Sequence, residues 1–188
     1  MKLIGIGGTN GSGKDTLGEI LQDKYGWKFI SLTDVLRDIA RQRGMPIGRE
    51  NLRQISAELR EEHSTGVMID LVAGTYKNLG QDYEGLVTAS LRNDGEADRI
   101  HELGGKVIWI DADPKLRYKR IVSRSRSDDT VSFEEFIKQE QIEMHGAKNE
   151  FELRSADVKD KSDIFIENDL GYQELVEKVT ILAKELGL

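Results

Sequence analysis

The stretch Gly7-Gly8-Thr9-Asn10-Gly11-Ser12-Gly13-Lys14-Asp15-Thr16 constrains this chain more than any other. Gly8, Gly13 and Lys14 satisfy the phosphate-loop pattern G-x-x-x-x-G-K-[ST], with Asp15 standing where Ser or Thr is expected. The apolar run Leu3-Ile4-Gly5-Ile6 precedes the loop, and Leu17, Ile20 and Leu21 follow at helical spacing. A loop between a buried strand and an amphipathic helix is the context such a motif requires. Its glycines let backbone N–H groups close around an anion, and the helix start adds the positive end of its dipole. Gly8, Asn10, Gly11, Ser12, Gly13, Lys14, Asp15 and Thr16 are therefore the expected triphosphate cradle, with Lys14 reaching the β- and γ-phosphates.

Length and charge bound the partners. The chain has 188 residues, enough for one α/β domain with a substantial core. Charged residues make up 32% and the net charge is −7, so neither nucleic acid nor an anionic membrane is an expected partner. Cysteine is absent, which excludes disulfides, thiolate metal sites and cysteine catalysis. The first residues lack the basic region of a signal peptide, no apolar run reaches membrane-spanning length, and a cytoplasmic location is the expectation.

Along the chain, strands are expected at Leu3–Ile6, Trp27–Ser31, Leu86–Ala89, Lys106–Asp111 and Ile164–Ile166. Helices are expected from Lys14 to Tyr25, from a cap at Thr33 or Asp34 to Gly44, after Gly48, across Val67–Leu79, and from Gly95 to Leu103. Others are expected from Pro114 to Arg124, across Ser132–Met144 and across Tyr172–Leu186. The alternation implies a five-stranded parallel sheet covered on both faces, with ligands at the carboxyl ends of its strands. Residues just past those ends are polar: Asp34 and Arg37 after the second strand, Arg92 after the third, Asp111 after the fourth. Arg117, Arg120 and Arg124 recur at i, i+3 and i+7 as one stripe, with Arg126 beyond. A stripe of this kind at a triphosphate site suits the charge on a transferring phosphoryl group. Trp109 reads as core. His63, His101 and His145 read as polar helix surface.

The phosphate loop and three further short motifs resemble the nucleoside monophosphate kinase group of P-loop kinases. Ile30-Ser31-Leu32-Thr33-Asp34-Val35-Leu36-Arg37 resembles the adenylate-kinase run I-S-T-G-D-M-L-R, and Thr88-Ala89-Ser90-Leu91-Arg92 stands in the place of D-G-F-P-R. Arg120-Ile121-Val122-Ser123-Arg124 resembles the lid-side run R-I-V-G-R. Arg124 to Asp129, Glu134-Glu135-Phe136 and Asn168-Asp169 are similar to a subgroup of adenylate-kinase-related and dephospho-coenzyme-A-kinase-like proteins. The resemblance implies a single three-layer P-loop kinase domain over residues 1–188, with an acceptor-binding helical cap at 32–82 and a short lid at 124–132. It also implies ATP and Mg²⁺ as donor and metal, a small nucleotide-like acceptor clamped by Arg37 and Arg92, and transfer assisted by Arg120 and Arg124. Asn168 falls near the donor base. Thr88 departs from the pattern, because an acid there usually assists the metal; Asp15, Asp34 or Asp111 is left for that task, with Asp15 the expected ligand. The expected activity is transfer of the γ-phosphoryl group to a nucleoside monophosphate. Dephospho-coenzyme A, with Asp34 as general base, is the alternative acceptor. A nucleotide-binding ATPase or switch and a nucleic-acid end kinase are further alternatives, and the state of assembly, monomer or homodimer, stays open.

Overall fold

The computed structural model describes residues 2–80, 82–123 and 131–187. Its elements in chain order are β1 (Leu3–Gly8), α1 (Lys14–Tyr25), β2 (Lys28–Ser31), α2 (Leu32–Gln42), α3 (Arg49–Glu62), α4 (Val67–Lys77), β3 (Leu86–Leu91) and α5 (Asp94–Glu102). They continue as β4 (Lys106–Asp111), α6 (Pro114–Ser123), α7 (Phe133–His145), α8 (Ser155–Asp160), β5 (Ile164–Glu167) and α9 (Tyr172–Leu186). The strands form one parallel sheet in the order β2-β3-β1-β4-β5. The phosphate loop therefore leaves the middle of the carboxyl edge, between the ends of β3 and β4.

Side chains alternate across a strand, and both faces here are apolar. Leu3, Leu86, Leu91, Val107 and Trp109 join Ile55, Met68, Ile69, Ile100 and Val158 in one core, under α3, α4, α5 and α8. Ile4, Ile6, Val87, Ala89, Ile108, Ile110 and Ile166 join Leu17, Ile20, Leu21, Trp27, Leu175 and Val179 in the other, under α1 and α9. The glycines inside β1 serve this packing. A methyl group at Gly5 would stand 2.9 Å from Ile100 Cδ1, and one at Gly7 would stand 2.9 Å from Val158 Cγ1. Their absence lets α5 and α8 settle onto the central strand.

Two elements differ from expectation. α2 begins at Leu32 directly after β2, with an extended Ser31 at its N-cap that makes no side-chain capping bond, so neither Thr33 nor Asp34 caps it. That leaves the Asp34 carboxylate for Arg37, 2.6 Å away. α8 was not expected. Its six residues, Ser-Ala-Asp-Val-Lys-Asp, carry a single large apolar anchor, Val158, too little for helical periodicity to register. His101 lies exposed on α5, as expected, with its Nε2 2.9 Å from Asp163 Oδ2. The expected lid at 124–132, with Arg124 and Arg126, lies outside the described residues except for Val131 and Ser132. Among the described residues, no helix is long and apolar enough to cross a membrane.

Candidate active site

Gly8, Gly11 and Gly13 carry φ angles of +151°, +80° and +105°, the left-handed side that glycine alone adopts freely. Space is also limiting: a methyl group at Gly11 would stand 2.7 Å from the Arg117 carbonyl oxygen. The carbonyls of the loop are tied one by one. Thr9 O accepts from Ser12 Oγ at 2.9 Å and from Lys14 Nζ at 2.6 Å. Asn10 O accepts from Arg117 Nη1 and Gly11 O from Arg120 Nη1, each at 3.4 Å, and Ser12 O accepts from Asn168 Nδ2 at 2.7 Å. Arg120 Nη2 also donates to Asn168 O at 2.8 Å. With its acceptors occupied this way, the loop is left to meet a ligand with its donors, which is the polarity an anion needs.

The arginine stripe on α6 divides. Arg117 is buried, donates through Nε to Ala112 O at 2.7 Å, and pairs with Glu140 of α7 through both terminal nitrogens. It is a strut beneath the loop, not a phosphate ligand facing solvent. Arg120 lies against the loop itself, and Arg124 lies outside the described residues. Asn168, expected near the donor base, holds the loop backbone at Ser12, and its Oδ1 is buried with no hydrogen-bond partner among the described residues. Asn168→Ala is expected to loosen the loop and weaken ATP binding about tenfold, the worth of one buried hydrogen bond. Calorimetric titration of the variant checks this.

A continuous cavity of about 890 Å³ runs from the loop into the helices of the expected cap. Asn10, Gly11, Gly13, Lys14, Asp15 and Thr16 line one end. Leu36, Ile47, Leu52 and Met68 give the cavity an apolar wall, and Asp34, Arg37, Arg53 and Arg92 also line it. The structure thus brings Lys14, Asp15, Asp34, Arg37 and Arg92 to one cavity. Of the three acids offered in place of one at Thr88, Asp15 and Asp34 line it. Asp111 instead accepts from Thr9 Oγ1 at 2.5 Å and lies 3.3 Å from Arg117 Nε. Thr88 is buried in β3, donating to Ile30 O at 2.8 Å. Glu19, one helical turn after Asp15, also faces the cavity; partial burial and then the neighbouring Asp15 charge raise its pKa. Helical spacing from Asp15 was the signal for it.

Arg92 is held from both ends. Ile6 pairs with Ala89 and Gly7 with Leu91, so Ser90 is an extra residue at the end of β3, and its φ of +76° is unusual for a residue with a side chain. Beyond this bulge, Glu96 Oε2 accepts from the backbone N–H groups of Arg92 at 2.8 Å and Asn93 at 3.2 Å. Arg60 Nη2 holds the other oxygen of Glu96 at 2.7 Å, both side chains being almost fully buried. The Arg92 guanidinium reaches Asn10 Oδ1 at 2.8 Å and pairs with Glu143 of α7. Burial pushes the Glu143 carboxyl up, but the guanidiniums of Arg92 and Arg53 pull it down to about 2. Glu143, Arg53, Glu96 and Arg60 were not foreseen. The ion-pair partners lie tens of residues away in sequence, where no spacing rule connects them; only the capping box of Asn93 and Glu96 was a local signal.

This architecture has relatives. Residues 4–144 match the AAA domain family. A UPF0200 protein of Saccharolobus islandicus is 32% identical over 178 residues, covering 93% of this chain and 88% of that protein. The chain belongs to both families. A UPF0200 protein of Pyrococcus abyssi is 29% identical over 98% of this chain and 96% of its own length. Among solved structures, shikimate kinase from Acinetobacter baumannii in complex with shikimate superposes with a TM-score of 0.61 at 17% identity, covering 99% of this chain and 93% of that one. TT1252 from Thermus thermophilus gives 0.58 at 20% identity, covering 97% and 96%. The fold is that of the P-loop kinases, as the sequence motifs implied, and a phosphate-loop domain of this kind binds a nucleotide.

Proposed function

We propose that the chain transfers the γ-phosphoryl group of ATP to a small nucleotide-like acceptor, most simply a nucleoside monophosphate. The observation that carries this reading is the single cavity joining the phosphate loop to a partly apolar, arginine-bearing cap. A switch or simple ATPase has no use for a second anion site across the cleft from its nucleotide. Lys14 and the amides of Gly11 to Lys14 would hold the donor phosphates, and Arg92, fixed from both ends, would orient the acceptor. Arg120 would face the charge that develops on the transferring group. Rate then comes from positioning and charge neutralisation, since a phosphate acceptor needs little base assistance.

Mg²⁺ fits this donor set. Among the described residues no three acidic or imidazole groups cluster as a metal cage, and Mg²⁺ is ordinarily held by one or two carboxylates together with the phosphates of its substrate. Asp15, exposed in the first turn of α1 and lining the cavity, would hold it, with Glu19 one turn on. Bound there, the ion would neutralise charge between the donor phosphates.

One observation favours a second acceptor class. Asp34 caps no helix and lines the cavity beside Arg37, as a general base for a sugar hydroxyl such as that of dephospho-coenzyme A would. Incubation with Mg·ATP and a panel of nucleoside monophosphates beside dephospho-coenzyme A separates the two. The expected result is a phosphorylated monophosphate, with Asp34→Asn costing less than about tenfold; a hydroxyl acceptor would instead lose about 10²-fold or more. ATP turnover at the same rate across the whole panel would contradict both.

A further inference from the structure

Two guanidinium groups converge on one carboxylate where the cap meets the phosphate loop. Glu143, buried in the last turn of α7, has Arg53 Nη2 2.5 Å from its Oε1, while Arg92 Nη1 and Asn10 Nδ2 approach its Oε2. The other arm of the Arg92 fork is spent on Asn10 Oδ1 at 2.8 Å. One turn earlier on both helices, Arg49 Nη1 donates to Gln139 Oε1 at 3.1 Å. α3 and α7 are therefore laced by two rungs spaced i and i+4 on each.

Arg37, the arginine expected to share the acceptor phosphate with Arg92, sits elsewhere. It pairs with Asp34 at the rim, where the two side chains are 31% and 64% exposed. Arg53, on the cap helix, is the arginine that shares a counter-ion with Arg92. Two guanidiniums meeting at one anion form the arrangement by which proteins hold a carboxylate or phosphate, because each fork presents paired donors.

We propose that Arg53 and Arg92 form the subsite for the acceptor's dianionic phosphate, and that the Glu143 carboxylate fills this subsite until the acceptor displaces it. This rests on the reading of Arg92 as a ligand of the acceptor. A phosphate monoester brings two charges and three oxygens to the two forks, against one charge and two oxygens from Glu143, so it can replace the carboxylate. A neutral or singly charged molecule lacks that advantage. Glu143 thereby selects for dianions, keeps Arg53 and Arg92 compensated in the empty cleft, and ties release of α7 from α3 to arrival of the acceptor.

Sulfate is a suitable probe, being a dianion throughout the working pH range. The full chain is loaded with Mg²⁺ and a non-hydrolysable ATP analogue, so that the phosphate loop is filled, and sulfate is titrated by calorimetry. Arg92→Ala and Arg53→Ala are expected to weaken sulfate binding about tenfold or more, and Glu143→Gln to tighten it about tenfold, because a competing charge is gone while the shape is kept. Sulfate binding that survives Arg92→Ala overturns the acceptor-site reading itself. Binding lost in Arg92→Ala but unchanged or weaker in Glu143→Gln overturns the displacement alone, and makes Glu143 a positioning residue. If Glu143→Gln does not fold, the unaltered chain decides. Near pH 5, sulfate should drive uptake of about 0.2 proton as the freed carboxyl returns toward its ordinary range, and no uptake overturns the displacement.

Discussion

Arg92→Ala should cut phosphoryl transfer by about 10³ while leaving ATP affinity within about threefold. The asymmetry follows from where Arg92 touches the site. Its guanidinium reaches the loop only through the Asn10 side chain, whereas the loop carbonyls are held by Arg117, Arg120 and Asn168. The donor cradle therefore survives, and the acceptor loses a preorganised cation. Arg92→Lys sharpens the test, since it keeps the charge without the paired donors and should recover only part of the loss. Either variant also leaves Glu143 with Arg53 as its remaining guanidinium partner among the described residues. Transfer rates measured at saturating ATP over a range of acceptor concentrations, beside calorimetric ATP titration, give both quantities. Equal loss of ATP binding and transfer would contradict the assignment of Arg92 to the acceptor.

Glu96→Ala should be the most destabilising single change in this region, by about 3–5 kcal/mol, the typical result of stranding one member of a buried ion pair. Arg60 and Glu96 are 2% and 1% exposed, so the arginine left behind is a buried charge whose other partners among the described residues, Ser56 Oγ and the Phe151 carbonyl, are both neutral. The substitution also removes one half of the capping box that starts α5 from Asn93, and frees the backbone N–H of Arg92. For a chain of this length the melting temperature should fall by roughly 10 °C. Activity should fall further than partial unfolding explains, because the backbone of Arg92 is no longer fixed. Replacing the pair with well-packed apolar residues should restore stability without restoring transfer. Differential scanning calorimetry beside transfer rates at a temperature where every variant is folded separates these effects.

Much of the fold was legible because its signals are local. The order of strands and helices followed from short apolar runs alternating with helical spacing, and the phosphate loop from glycines and one lysine at fixed separations. Local signals also located Asp34, Arg37 and Arg92 just past the strand ends, where a parallel sheet gathers its ligands. What stayed hidden depends on contacts between distant segments. Arg117 lay in plain view as part of a stripe, but that it serves as a buried strut is decided by Glu140, from another helix. Arg53 and Glu143 each look like ordinary charges on amphipathic helices until the fold sets them 2.5 Å apart. Ser90 gave no warning of its left-handed backbone either, since the bulge arises from its strand's pairing with β1. The short helix α8 was missed because one buried valine makes no period.

On the proposed function, one cavity seats a donor and an acceptor together. The most direct measurement follows the γ-phosphoryl group of labelled Mg·ATP with and without each member of the acceptor panel. The expected result is label transferred to an anionic nucleotide, with ATP consumption rising steeply when that acceptor is present. Label released only as free phosphate, at one rate whatever acceptor is added, would contradict it.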